Sequence, residues 1–252
     1  MALNKDSNGY VIGFSVALVV VVGTLLAVIA MALKPLQVAN VKQEKMQNIL
    51  ESTNLEDISR KESAGLFKEY VTKRLILDYY GNIIEGSVYA GDKEIESNDE
   101  KDAFNIDLLK EYKSIKDPKE RHYPLFVCER DGEIFYVAPL MGKGLWAAVW
   151  GYLSLGEDGE TIVGAVFDHK SETPGLGAEI SKTFFEERFI GKKIAEKGKY
   201  TSVSVIKPGP PLDDHKVDGI SGGTFTSVGV DEMISRTMIV YYNFLKNNKN
   251  YK

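Results

Sequence analysis

Cysteine occurs once in the 252-residue chain, at Cys128, so no internal disulfide, four-cysteine zinc site or iron–sulfur cluster can be built from this sequence alone. Histidine is nearly as scarce. His122, His169 and His215 stand without metal-ligand spacing, and no metal centre is expected. All three also precede Ser221, whereas the match of Gly219-Ile220-Ser221-Gly222-Gly223 to a hydrolase nucleophile elbow calls for a later histidine and a preceding strand. The residues before it, with Pro208-Gly209-Pro210-Pro211, form a loop instead. A basic excess is missing too: 31 Lys and Arg against 36 Asp and Glu leave a formal charge of −5, the wrong balance for a nucleic-acid partner. With 44% hydrophobic and 27% charged residues the chain can bury a core.

Charge is also absent from residues 7–33, which contain Val16-Ala17-Leu18-Val19-Val20-Val21-Val22 and Leu25-Leu26-Ala27-Val28-Ile29. At about 1.5 Å per residue this run exceeds a hydrocarbon core of roughly 30 Å. It reads as a transmembrane anchor. Ala30-Met31-Ala32 resembles a signal-peptide cleavage site, but the apolar run is longer than the usual signal core. Lys5 on one flank faces Lys34, Lys42 and Lys45 on the other, so flanking charge leaves the orientation open. A span without an ionisable side chain has nothing with which to relay an ion; it anchors.

Pro35 is expected to end the span, with a polar helical stalk over residues 38–50. Helical spacing recurs over 63–80, 102–115 and 178–189. Residues 123–129 and 133–140 read as a hairpin around Arg130-Asp131-Gly132, where a sheet begins; 145–155 and 161–168 extend it, and 200–206 reads as a further strand. Residues 227–245 close the chain as an amphipathic helix through Val230, Met233, Ile234, Met238, Tyr241 and Leu245. The expected fold is α+β: one N-terminal transmembrane helix, then a domain with a mixed or antiparallel sheet and flanking helices.

One loop can carry chemistry. Asp218-Gly219-Ile220-Ser221-Gly222-Gly223-Thr224 leads into the last helix, so glycines permit close backbone approach while Thr226 or Ser227 could cap it, and an anion there would meet free N–H groups. The same features suit an ordinary capping loop, and spacing alone does not decide. Glu172-Thr173-Pro174-Gly175-Leu176-Gly177, taken alone, reads as a solvated strand-to-helix loop.

Together these two segments resemble the paired signatures of the FMN-binding domain family. Gly142-Lys143-Gly144-Leu145-Trp146, Lys34-Pro35-Leu36-Gln37, Gln47-Asn48-Ile49-Leu50 and the apolar span further resemble the C subunits of sodium-translocating NADH:quinone reductases. The resemblance implies FMN attached covalently through its phosphate to Thr224 by a separate flavin transferase that uses FAD and magnesium and recognises Asp218, Ser221 and Thr224. It implies cofactor contacts from Trp146, Glu172, Thr173, Leu176, Gly177, Lys207, Ser221, Gly222, Gly223 and Thr226. No catalytic acid or base is implied, only electron transfer between partner subunits. The implied organisation is a cytoplasmic N-terminus and anchor over 1–35, stalk and leading part of the soluble domain over 36–120, and FMN-binding domain over 121–252. That domain would lie on the periplasmic side of a bacterial inner membrane. Gly223 departs from the family, which usually carries alanine or serine there. Two other readings share these features: the G subunit of Rnf-type complexes, against which residues 142–146 and the length weigh, and a flavin-free anchored scaffold or sensory module, against which Thr224 weighs.

Overall fold

The computed structural model describes residues 7–55 and 57–248 and divides into two compact units, Met1–Glu44 and Lys45–Lys252. Helix α1 runs Asn8–Glu51 without interruption, with Pro35 inside it. The end expected at Pro35 and the separate stalk are thereby corrected. A proline costs a helix interior about 3 kcal/mol by removing one N–H and crowding the preceding turn, and the helix-forming residues on both sides absorb that loss. The apolar side chains of residues 11–41 remain exposed. With a mean hydropathy of 2.9 over its most apolar window, α1 has the surface of a membrane span rather than of a core helix. Lys5 lies outside the described residues.

Beyond α1 the chain runs through α2 (Arg60–Tyr70), β1 (Val71–Leu77), β2 (Ile83–Ala90), α3 (Leu108–Ser114), β3 (Tyr123–Arg130), β4 (Glu133–Lys143), β5 (Ala148–Leu155) and β6 (Ile162–His169). It continues through α4 (Thr183–Glu186), β7 (Ala195–Glu196), β8 (Lys199–Tyr200), β9 (Ser204–Ile206), β10 (Lys216–Asp218) and α5 (Thr224–Asn247). Six strands form one sheet in the order β2-β1-β3-β4-β5-β6, antiparallel throughout. The α+β expectation holds.

The sheet starts earlier than expected. Residues 63–80 are not one helix: α2, closed at its start by a Ser59–Glu62 capping box, gives way at Val71 to β1. Because β1 lies inside the sheet, Leu75, Ile76 and Leu77 are all buried, and a strand covered on both faces lacks the alternation that identifies one. Residues 102–115 split where Asp107 caps the Leu109 and Lys110 N–H groups. Residues 178–189 form two 3-10 turns flanking α4, broken by extended Lys182. Ser202, at φ 69°, divides the strand expected over 200–206. The β3–β4 hairpin does form, through Asp131 and Gly132 at φ 56° and 83°.

Both sheet faces are covered, and alternation along β3 shows it. Leu125 and Val127 join the core under α5, whereas Phe126 and Cys128 join a second core with Ile49, Leu50, Phe67 and Phe104. Buried Arg74 forms a two-point pair with Asp102, at 2.9 and 2.7 Å, and donates to the carbonyls of Gly91 and Lys93. That network ties the loop after β2 onto the sheet. Burial raises the Cys128 thiol to about 12, so it stays protonated and inert. Helix α5 seats Val230, Met233, Ile234 and Met238 against the sheet, and the Tyr241 hydroxyl reaches the carbonyls of Pro124 and Pro139 at 3.0 and 3.1 Å. Helix α5 is thus fixed on the sheet from Val230 to Tyr241.

Candidate functional site

Three connections meet at one end of the sheet. The β4–β5 turn, residues 144–147, closes with Gly144 N–H donating to the Ala147 carbonyl at 2.8 Å, and the chain leaving β6 begins beside it, with Lys170 N–H on the Ala148 carbonyl at 3.0 Å. The third connection is the loop from β10 into α5. Antiparallel pairing of β4, β5 and β6 puts the first two side by side.

The Glu172 carboxylate lies where they converge. It is 6% exposed; Oε1 accepts from the Trp146 and Ala147 N–H groups at 2.9 and 3.3 Å, and Oε2 accepts from the Thr226 hydroxyl at 2.6 Å. Burial alone would raise its pKa. The Thr226 hydroxyl and the N–H groups of Trp146, Ala147 and Leu145 outweigh burial and hold it below the usual carboxylate range. The acid is therefore ionised at neutral pH.

Thr224 is the first residue of α5 and is exposed, with Gly223 as the N-cap. Ser227 N–H, on the Gly223 carbonyl at 2.9 Å, is the first to find its partner inside the helix. The N–H groups of Thr224, Phe225 and Thr226 thus have no partner carbonyl within the helix and stand at the positive end of its 24 residues. The expectation that Thr226 or Ser227 caps the helix is corrected. Both lie within its first turns and are buried; Thr226 serves Glu172, and Ser227 Oγ accepts from Ile220 N–H at 2.9 Å, folding the loop back onto the helix.

Gly222 takes φ 77°, and a Cβ on it would come 2.7 Å from Leu176 Cδ2. A Cβ on Gly223 would lie 3.1 Å from Ile220 Cβ and 3.2 Å from Gly177 N. The missing side chain at 223 therefore lets the two signature loops pack closely. Around them three apolar side chains are exposed: Trp146 by 67%, Leu176 by 42% and Phe225 by 70%. Thr173, Ser221 and Gly222 are exposed as well, and Gly177 is buried. Lys207, exposed, follows β9 where Gly219 N–H donates to the Ile206 carbonyl at 2.7 Å.

Asp218 ends β10 with Oδ1 buried and without a hydrogen-bond partner among the described residues. Its carbonyl and that of Gly219 accept from Arg188 Nη1 at 2.6 and 3.1 Å, and the Arg188 guanidinium lies over the Phe184 and Phe185 rings. Sequence reasoning missed Arg188, because a side chain that serves main-chain carbonyls leaves no motif. It missed Phe225 too, although an aromatic beside Thr224 at a helix start was a readable signal.

A model of the FMN-binding domain matches residues 144–238, which contain all three connections. The C subunit of the Na(+)-translocating NADH-quinone reductase of Vibrio alginolyticus is 30% identical over 231 residues, covering 91% of this chain and 90% of that protein. Its Pseudomonas aeruginosa counterpart is 29% identical over 92% of this chain and 91% of its own. Among solved structures, the same protein from Parabacteroides distasonis superposes with a TM-score of 0.72 at 40% identity, covering 84% of this chain and 96% of that one. NqrC from Shewanella oneidensis gives 0.61 at 25% identity, with 84% and 98% covered.

Proposed function

Since the chain belongs to the family of C subunits of the Na(+)-translocating NADH-quinone reductase, we propose that it is the anchored flavoprotein member of such a complex, carrying FMN through a phosphoester to Thr224. The observation that carries this reading is the setting of Thr224: an exposed threonine opening a long helix, beside first-turn N–H groups without partners in the helix and exposed apolar side chains.

The residues present fit the group. The singly charged phosphodiester that FMN would form on Thr224 Oγ would face the N–H groups of the first turn and the positive helix end, which favour an anion. Trp146 and Leu176 offer apolar surface to a flat ring, while Thr173, Gly177, Lys207, Ser221, Gly222 and Gly223 offer polar or close backbone approach. FMN supplies a carrier of one or two electrons, and the protein supplies position and electrostatics. Attachment needs no acid or base from this chain. A flavin transferase that reads Asp218, Ser221 and Thr224 directs the Thr224 hydroxyl onto the flavin-side phosphorus of FAD; an O–P bond forms as the pyrophosphate link breaks, and AMP leaves. In this reading α1 crosses the inner membrane once, with the domain on the periplasmic side, and holds Thr224 at high effective concentration beside the other subunits.

The test is direct. Coexpressed with its flavin transferase, the protein should fluoresce on a denaturing gel, and mass spectrometry should find FMN on the peptide containing Thr224. An unmodified Thr224 peptide from the assembled complex would overturn the proposal.

A further inference from the structure

We propose that Glu172 is a positioning residue: its side chain, hydrogen-bonded at both oxygens, spaces the Trp146 turn from the first turn of α5, and so sets the surroundings of any group carried on Thr224. The inference rests on the assignment of flavin to Thr224.

Both carboxylate oxygens are committed to the protein, one to the Trp146 and Ala147 N–H groups and the other to the Thr226 hydroxyl. The partners lie 26, 25 and 54 residues away in the chain, so one side chain joins three segments that share no local structure. Room is made for it on two sides: a Cβ on Gly144 would come 2.6 Å from Oε1, and one on Gly177 would come 2.7 Å from Oε2. A Cβ at either position would force the carboxylate or its neighbours, Val149 at one and Thr226 at the other, to shift.

The same contact makes two threonines of one helical turn unequal. Thr226 is 1% exposed with its hydroxyl committed to Glu172, whereas Thr224 is exposed. Glu172 thus withdraws one hydroxyl and leaves the other on offer. Trp146, held by its backbone at the Glu172 carboxylate while its ring stays 67% exposed, is positioned without being buried.

The experiment compares Glu172→Ala and Glu172→Gln with the parent full-length protein in detergent. Glutamine keeps an oxygen for the two N–H groups and can donate its amide to the Thr226 hydroxyl, so it should preserve the spacing; alanine cannot. In protein made without the transferase, amide exchange at Trp146 and Ala147 should accelerate at least about tenfold in the alanine variant and stay near the parent rate in the glutamine variant. In protein made with the transferase, emission per FMN on Thr224 should rise in the alanine variant only, because Trp146 no longer holds its place. Unchanged exchange in the alanine variant, or fast exchange in the glutamine variant, overturns the proposal. If Glu172→Ala does not fold, Glu172→Asp, whose carboxylate is one methylene short of its partners, takes its place with the same expected readings and the same overturning ones. FMN absent from Thr224 in the parent protein would instead defeat the functional assignment, and the exchange rates would still decide whether Glu172 ties the loops.

Discussion

Thr224 and Thr226 are two residues apart, yet replacing each by valine should have opposite consequences. Valine keeps the branched shape and removes only the hydroxyl, so each substitution isolates one oxygen. At exposed Thr224 that oxygen makes no hydrogen bond among the described residues, and a surface change of this kind stays within about 0.5 kcal/mol. At Thr226, 1% exposed, the hydroxyl donates to an ionised and buried carboxylate at 2.6 Å. Losing a hydrogen bond to a charged group costs about 1.5–3 kcal/mol, more than a lost helix cap. For a domain of this size each kcal/mol moves the melting temperature by about 2–4 °C, so Thr226→Val should melt about 3–12 °C lower, and Thr224→Val within about 2 °C of the parent. Calorimetry of flavin-free protein reads the difference directly. Equal melting temperatures for the two variants would refute the assignment of the Thr226 hydroxyl to Glu172.

Three further outcomes follow from particular contacts. Gly223→Ala puts a Cβ against Ile220 and the Gly177 backbone and trades a good N-cap residue for a poor one, so it should lower stability by about 1 kcal/mol in a denaturant titration while Thr224 remains open to modification. Burial, opposed in part by the Phe167 N–H bond, raises Glu186 to about 7; the folded state then binds more protons than the unfolded one between the ordinary glutamate range and pH 7. Stability should fall as pH rises through that window, and Glu186→Gln, which keeps an acceptor for Phe167 N–H, should flatten the dependence seen in melts at successive pH values. Removing residues 1–44, the first compact unit, should give a soluble domain that accepts flavin yet does not restore NADH-driven quinone reduction to a complex lacking this protein.

Much of this was legible because local pattern and tertiary need coincide. The β3–β4 hairpin announces itself through Asp131-Gly132 between β-rich runs, and the apolar spacing of Val230, Met233, Ile234 and Met238 is the face that α5 buries. Strand β1 was hidden by double burial, which erases the period of two. The break at Lys182 and the turn at Ser202 were hidden because tertiary packing imposes them on segments with ordinary propensities. Pro35 misled in the other direction: a strong local breaker was outvoted by the long helix on either side. At the site, the order of residues from Asp218 to Thr224 locates the loop and the helix start. The work of Glu172 and Arg188 was invisible because their partners are main-chain groups and a hydroxyl at least 25 residues away, where residue type carries no signal.

The most direct test of the central claim is the mass of the peptide containing Thr224, taken from the protein in its assembled membrane complex. The account predicts an added FMN phosphoryl group on Thr224, and its disappearance in Thr224→Val without loss of the folded domain. FMN found on another residue, or a Thr224 peptide of unmodified mass in an active complex, would contradict it.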